Sequence, residues 1–403
     1  MTAIVLGLDL NGLGVVRALG SSGIDVIGVD NVLSHAGRAS RYCREVMAAS
    51  PTAADDLIPA LRKIAEGLGR PGVLFPTMDD TVRILSQHRG ELPERLRVAL
   101  PEASMTARLM EKEDLAELAA RHGWPAPFTC ICRSEADVAS AAASFPYPGV
   151  MKPGRRELDA PRGIPQKVWT FSTPDELLAA YRTLSRWEKK VVLQEVVPGP
   201  DSAVLFCLFY ADRRSRPRAL FVGHKIRQFP PLYGSTSSAE PIEAPDVRDF
   251  AVKYISDVAY QGLGSVEMKA DARTGRPLLI EPTVGRTDYQ SFVAVANGVN
   301  IPAIAYRDLA DLDPIESPRR AARPVKYVVG LRDLRSAARH VREGRETWRG
   351  FVLSLRGPKA FALLQPRDPG PFLYRIHYAT LGRAARLARG MVGRLTGAPP
   401  GSR

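Results

Sequence analysis

The sequence predicts a parallel α/β domain, then an α+β region, then a basic helical extension. Three observations carry this expectation. The first hundred residues alternate short apolar runs with helical periodicity and glycine turns, as in a parallel sheet with crossover helices. From Tyr147 onward, strand candidates follow one another with only two helices between them. From Pro318 to Arg403 there are 19 Lys and Arg against 4 Asp and Glu, while the remainder holds 37 basic and 39 acidic residues. The formal net charge of +13 therefore belongs to the tail. It does not mark the body as a nucleic-acid binder, and no recognition motif supports one.

Hydrophobic residues at 45% and charged residues at 25% of 403 are those of a globular chain of two or three domains. Cys43, Cys130, Cys132 and Cys207 include one close pair, and no Cys/His cluster suggests zinc. The cysteine usage suits a reducing compartment, so a cytoplasmic location is expected. MTAIVLGLDL has no basic region before its apolar run and reads as a first strand. No apolar run is long enough to span a bilayer.

Ile4–Leu6 is the first strand, and the loop Gly7–Gly14 opens a helix through Leu19. Ile24–Val29 is the second strand and ends at Asp30. Such a unit can place phosphate at a helix N-terminus, with Asp30 on a ribose, as in a nicotinamide-dependent dehydrogenase. The glycine spacing departs from that fingerprint, so this is the lesser alternative. Ala53–Leu68 reads as a helix and Gly72–Phe75 as a strand. Asp79 and Asp80 follow at its carboxyl end, where open α/β sheets bind ligands, although Asp80 could instead cap the helix Thr81–His88. Arg97–Leu100 ends the first domain, residues 1–103.

Ala103–Arg121 reads as one helix containing Lys112, stopped at Gly123 and Pro125. Tyr147–Lys152 is a strand, and the Arg-, Pro- and Gly-rich loop 153–163 suits a cover over phosphates. Gln166–Phe171 returns, and Ser172 or Thr173 caps the helix Asp175–Trp187. These elements make a central unit, 104–190. Val191–Val197 then carries Gln194 and Glu195, and Asp201 follows. Ser202–Tyr210 and Ala219–Ile226 read as antiparallel strands, and Lys225 and Arg227 share a face if the second continues. Helix Asp246–Ala259 leads into Gly262–Arg286, a hairpin turning at Asp271–Gly275 and bringing Glu267 near Glu281. Two carboxylates on neighbouring strands repel, and a hard divalent cation, Mg²⁺ or Mn²⁺, would explain them. A solvated sheet edge is the alternative. This lobe is expected to span 191–317.

The order of Lys152, a glycine-containing loop, the Gln194–Val197 segment and the paired acids resembles the ATP-grasp superfamily, and within it the carboxylate–amine ligases of the D-aspartate ligase-like group. The resemblance covers roughly residues 1–315. It implies an ATP-grasp fold with an N-terminal Rossmann-like domain, and ATP with Mg²⁺ or Mn²⁺ as cofactors. It implies nucleotide contacts from Lys112, Lys152, Gln194, Glu195, Val197 and Asp201, with Asp201 on the ribose. Glu267 and Glu281 would hold the metal, with Thr283 standing where the family has asparagine. Arg286, one position later than the family's arginine, would stabilise the phosphorylated intermediate, with Lys225 and Arg227 beside it. The implied reaction joins a small carboxylate to an amine or amino acid through an acyl phosphate, releasing ADP and phosphate. Thr283 also admits a catalytically degenerate relative, and Asp288 is the acid placed to compensate for it.

The extension 318–403 ends in a predicted helix, Phe372–Leu395, with Ala384, Ala388, Met391, Val392 and Leu395 on one side. Arg375, Arg383, Arg386, Arg389 and Arg394 spread over the rest. It could pack on the body or on a second subunit of a homodimer. It could instead lie on an anionic membrane surface, the inner face in a cytoplasmic protein.

Overall fold

A computed structural model describes residues 1–154, 168–313 and 323–380. Strands β1 (Thr2–Leu6), β2 (Val26–Val29), β3 (Cys43–Met47), β4 (Gly72–Pro76) and β5 (Leu96–Arg97) form a sheet of order β3-β2-β1-β4-β5. Every pairing in it is parallel. β1 and β2 are almost wholly buried because both faces are covered. Ile4 and Leu6 meet Leu57 and Leu61 on one face. Ala3 and Val5 meet Val15, Val16 and Leu19 on the other, in a core shared with Phe206 and Tyr306 of the C-terminal lobe. β3 had no period-two signal, because it is an edge strand carrying exposed Arg44 and Glu45. Asp79 and Asp80 lie in the first turn of helix Asp79–Gln87, and Met78 holds the N-cap position. Asp80 is thus not the cap; both acids favourably face the helix dipole.

The single helix expected at Ala103–Arg121 is two, Ala103–Met110 and Lys112–His122. Glu111 between them is extended, at φ −98° and ψ 129°, so Lys112 opens a helix instead of lying within one. Gly123 ends the second helix in the left-handed region at φ 63°. Strands β6 (Thr129–Cys132), β7 (Gly149–Pro153), β8 (Trp169–Phe171) and β9 (Val191–Glu195) form an antiparallel sheet of order β6-β9-β7-β8. Met151 and Leu193 point into a core with Val138, Leu177 and Tyr181 from two covering helices. Strand alternation puts Lys152 and Gln194 on the opposite face. The loop expected at 153–163 lies, beyond Gly154, outside the described residues.

The third sheet contains β10 (Val204–Ala211), β11 (Pro217–Phe229), β12 (Ser235–Pro241), β13 (Gly262–Ala270), β14 (Pro277–Val284), β15 (Lys326–Val328) and β16 (Lys359–Phe361). Its order is β14-β13-β10-β11-β12-β15-β16. β15 pairs antiparallel with β12 and parallel with β16, so residues 326–361 complete the sheet and are not a separate extension. The tail is also tied to the first domain. Arg17 Nε lies 2.8 Å from Asp368 Oδ2, both side chains buried, and Arg17 Nη1 donates to the Ala362 carbonyl at 2.7 Å. Residues 370–380 are helical; the remainder of the predicted 372–395 helix, with Arg383, Arg386, Arg389 and Arg394, lies outside the described residues. Among the described residues no helix is long and apolar enough to cross a membrane.

Candidate active site

The free face of the β7–β9 sheet looks onto the β11–β13–β14 side of the third sheet across a cavity of about 330 Å³. Ten residues singled out from the sequence line it: Lys152, Gln194, Glu195, Val197, Lys225, Glu267, Glu281, Thr283, Arg286 and Asp288. Lys112 lines an adjoining recess together with Lys152, Gln194 and Glu281.

One wall is cationic. Lys152 Nζ donates to Gln194 Oε1 at 3.2 Å. Burial pushes the Lys152 ammonium below its usual range, and Lys112 adds to this while Glu281 opposes it. Among the described residues no carboxylate forms an ion pair with Lys152, so an anion would relieve this wall. Glu195 accepts from the Phe128 N–H at 3.3 Å and from Arg273 Nη2 at 2.5 Å. Arg273 belongs to the β13–β14 turn, so this contact links the two walls.

The opposite wall is acidic. Hairpin register sets Glu267 across from Glu281 and Ser265 across from Thr283. Lys225 Nζ lies 2.7 Å from Glu267 Oε2 and donates to Gln228 Oε1 at 3.1 Å. Burial pushes the Glu267 carboxyl above its usual range; Lys225 opposes the shift, and Glu281 and Asp288 add to it. Arg286 Nε donates to Asp79 Oδ1 at 2.7 Å, joining this wall to the first domain. Burial disfavours its charge, but Asp79 and Asp288 outweigh that and hold it firmly protonated. Gly285 turns the chain before it at φ 70°, where a Cβ would lie 2.5 Å from Leu100 Cδ2.

Among the described residues no three His, Cys, Asp or Glu side chains converge as a closed metal site. The donor set here is two carboxylates and a hydroxyl, all oxygen, with Glu267 destabilised as an anion by burial and by Glu281. Such a set fits a hard divalent ion whose other ligands are water or phosphate oxygens.

Three expectations are corrected. Asp201 is 3% exposed and does not line the cavity. It accepts from the N–H groups of Gln228 and Leu232 at 2.7 and 2.8 Å and contacts His340 Nε2 at 2.9 Å, so its oxygens are engaged in holding the wall. Arg227 leaves the site too, because register shifts on both sides of it break the β11 alternation. Its guanidinium meets Asp333 at 2.7 and 3.0 Å and Ser354 Oγ at 2.8 Å. Asp30 is fully buried and holds the Leu8 N–H at 2.6 Å and His35 Nδ1 at 2.7 Å. The glycine loop itself is engaged by Asn11, whose Nδ2 donates to the Thr77 and Thr287 carbonyls at 2.9 and 2.6 Å. These contacts remove the basis for a nicotinamide site there.

Sequence reasoning missed Gln228, Lys269, Tyr289 and Gln290, which also line the cavity. Lys269 lies two residues beyond Glu267 on β13, and strand alternation could have found it. Gln228, itself buried, borders the cavity at the irregular end of β11, which has no sequence signature.

No family model matches the sequence. The chain is 24% identical over 245 residues to D-aspartate ligase of Enterococcus faecium (strain Aus0004), covering 59% of this chain and 58% of that protein. It thus spans less than two thirds of that relative's length. N5-carboxyaminoimidazole synthetase from Staphylococcus aureus, complexed with ADP, superposes with a TM-score of 0.62 at 11% identity, covering 80% of each chain. The biotin carboxylase domain dimer of Hydrogenobacter thermophilus 2-oxoglutarate carboxylase, complexed with MgADP, ADP and bicarbonate, gives 0.61 at 14% identity, covering 80% of this chain and 73% of that one. With a parallel N-terminal sheet, a small antiparallel sheet and a large one facing it across a cavity, this chain has the ATP-grasp fold.

Proposed function

We propose that the protein is an ATP-dependent ligase that joins a small carboxylate to an amine through an acyl phosphate, releasing ADP and phosphate. One observation carries this reading: the paired carboxylates Glu267 and Glu281 face Lys152 across one cavity, with Lys112 in the recess that adjoins it. A triphosphate needs positive charge on one side and cation-holding oxygens on the other, and these walls offer both. The ADP complexes of similar folds support nucleotide here.

Lys152 and Lys112 would bind phosphate oxygens, relieving the buried ammonium. Gln194, Glu195 and Val197 would border the base. Glu267, Glu281 and Thr283 would hold Mg²⁺ or Mn²⁺. When bound, the ion neutralises charge on the transferring phosphoryl group. The carboxylate substrate attacks the γ-phosphorus and the bond to the β,γ-bridging oxygen breaks, giving ADP and an acyl phosphate. The amine then adds to the acyl carbon, and phosphate leaves with its electron pair as the nitrogen loses a proton. Arg286, held charged by Asp79 and Asp288, would stabilise the oxyanion of the tetrahedral intermediate.

The test is ADP release from Mg-ATP across a panel of small carboxylates crossed with amino acids and amines. Release that needs both a carboxylate and an amine, and that Glu281→Gln abolishes, is expected. A parent protein that no pair accelerates, and that Glu281→Gln leaves unchanged, would point to a degenerate nucleotide-binding relative.

A further inference from the structure

The hydroxyls of Ser265 and Thr283 face each other across the β13–β14 hairpin, two positions from the Glu267–Glu281 pair on the same face. Each donates to a different oxygen of one carboxylate. Thr283 Oγ1 lies 2.5 Å from Asp288 Oδ1, and Ser265 Oγ donates to Asp288 Oδ2. The carboxylate is itself fixed. Gln290 Nε2 donates to Oδ2 at 3.3 Å, Arg286 Nη1 lies 3.5 Å from Oδ1, and the Asp288 N–H donates to Ser291 Oγ at 2.7 Å.

A threonine hydroxyl carries one proton and two lone pairs. A cation approaching it must meet a lone pair. In solution the proton rotates freely, which makes a neutral hydroxyl an indifferent ligand. Here the hydroxyl donates that proton to Asp288 in a hydrogen bond, so the Thr283 oxygen has only lone pairs left for anything else that approaches. The negative carboxylate behind also makes the oxygen more electron-rich, as a carboxylate does behind a metal-bound imidazole.

We propose that Asp288 is a positioning residue which converts Thr283 into a competent ligand for the divalent ion. Thr283 and Asp288 together then do what one asparagine carbonyl would do, since that oxygen has lone pairs and no proton. The proposal rests on the ligase reading of the same site. It differs from a role for Asp288 as a direct ligand, because it makes Asp288 act through Thr283.

The experiment measures Mn²⁺ binding to the full chain with saturating ADP, by the loss of the free-ion signal in electron paramagnetic resonance. Asp288→Asn and Thr283→Val should each weaken Mn²⁺ binding about tenfold. The double variant should be no weaker than either single one. Thr283→Ser, which keeps the hydroxyl, should bind as the parent does. Placing Thr283→Asn in the Asp288→Asn background should recover most of the affinity. Parental binding by Thr283→Val, a double loss equal to the product of the single losses, or absence of the asparagine rescue would each overturn the proposal. A parent protein that binds neither ADP nor Mn²⁺ overturns the ligase reading and this assignment with it. A parent that binds both, with unaffected variants, overturns this assignment alone.

Discussion

Lys225 and Glu267 form an ion pair of 2.7 Å on the wall of the candidate site, with the lysine side chain 5% and the glutamate side chain 20% exposed. The lysine is the charge that opposes Glu267 protonation, and it leans on Gln228 at 3.1 Å. Lys225→Met therefore leaves a mostly buried carboxylate beside Glu281 without its partner. Urea unfolding should show a loss of about 2 kcal/mol, below the cost of breaking a fully buried pair. An unchanged midpoint would mean that the pair contributes nothing to the lobe.

Arg227 and Asp333 are a different kind of pair. Both side chains are almost fully buried, and Asp333 also accepts from Ser237 and Ser238 at 3.0 and 2.6 Å. Asp333→Ala leaves the buried guanidinium only Glu346, 3.3 Å from its Nη1, and Ser354, and should cost about 3 kcal/mol. Because Arg227 faces away from the cavity, ADP affinity measured by calorimetry well below the melting point should change less than twofold. A tenfold loss of affinity without a loss of stability would return Arg227 to the site.

Asp30 and His35 should leave a signature in the pH dependence of stability. Burial disfavours the Asp30 charge, but His35 and the Val32 and Leu8 N–H groups outweigh it, so its pKa falls below the ordinary 3.8. The Asp30 contact raises His35 above 6.5 against the opposing effect of burial. The carboxylate contributes stability that is present above 3.8 and lost as pH falls through its lowered value. The imidazolium contributes stability that is present below 6.5 and lost as pH rises through its raised value. Their combined contribution should be greatest between about 4 and 6.5. His35→Gln should lower the melting temperature more at pH 5.5 than at pH 8.5; an equal loss at both would mean the histidine is not charged in the fold.

The tail gives a positional test. A chain ending at residue 370 keeps Asp368 against Arg17 and should stay folded and soluble. A chain ending at residue 360 leaves the Arg17 guanidinium buried without its carboxylate and its Ala362 and Leu363 carbonyls. Its melting temperature should fall by several degrees or more. Equal stability of the two chains would contradict the tie.

Much of this was legible because it is local. Alternation in GLGSVEMKA and the turn at Asp271–Gly275 bring Glu267 near Glu281 without any long-range knowledge, and a register shift between Glu267 and Met268 sets the two directly opposite. Lys152 at the end of β7 and Gln194 on β9 follow from the same periodicity. What escaped is set by contacts distant in sequence or by irregularities. The register shifts around Arg227 turn it toward Asp333, 106 residues later. Asp201 is taken up by Gln228 and His340, which no spacing connects to it. The basic composition of the tail hid β15 and β16, each of only three residues.

In the proposed reaction an acyl phosphate forms in the cavity between Lys152 and Glu281. Its most direct test is the fate of oxygen. A carboxylate substrate that supports ADP release is labelled with ¹⁸O in its carboxyl group and turned over with unlabelled ATP and the amine, and the released phosphate is read by ³¹P NMR. Transfer of one ¹⁸O into phosphate is expected, because the attacking carboxyl oxygen leaves with the phosphoryl group. Phosphate released without label, at a rate equal to product formation, would contradict it.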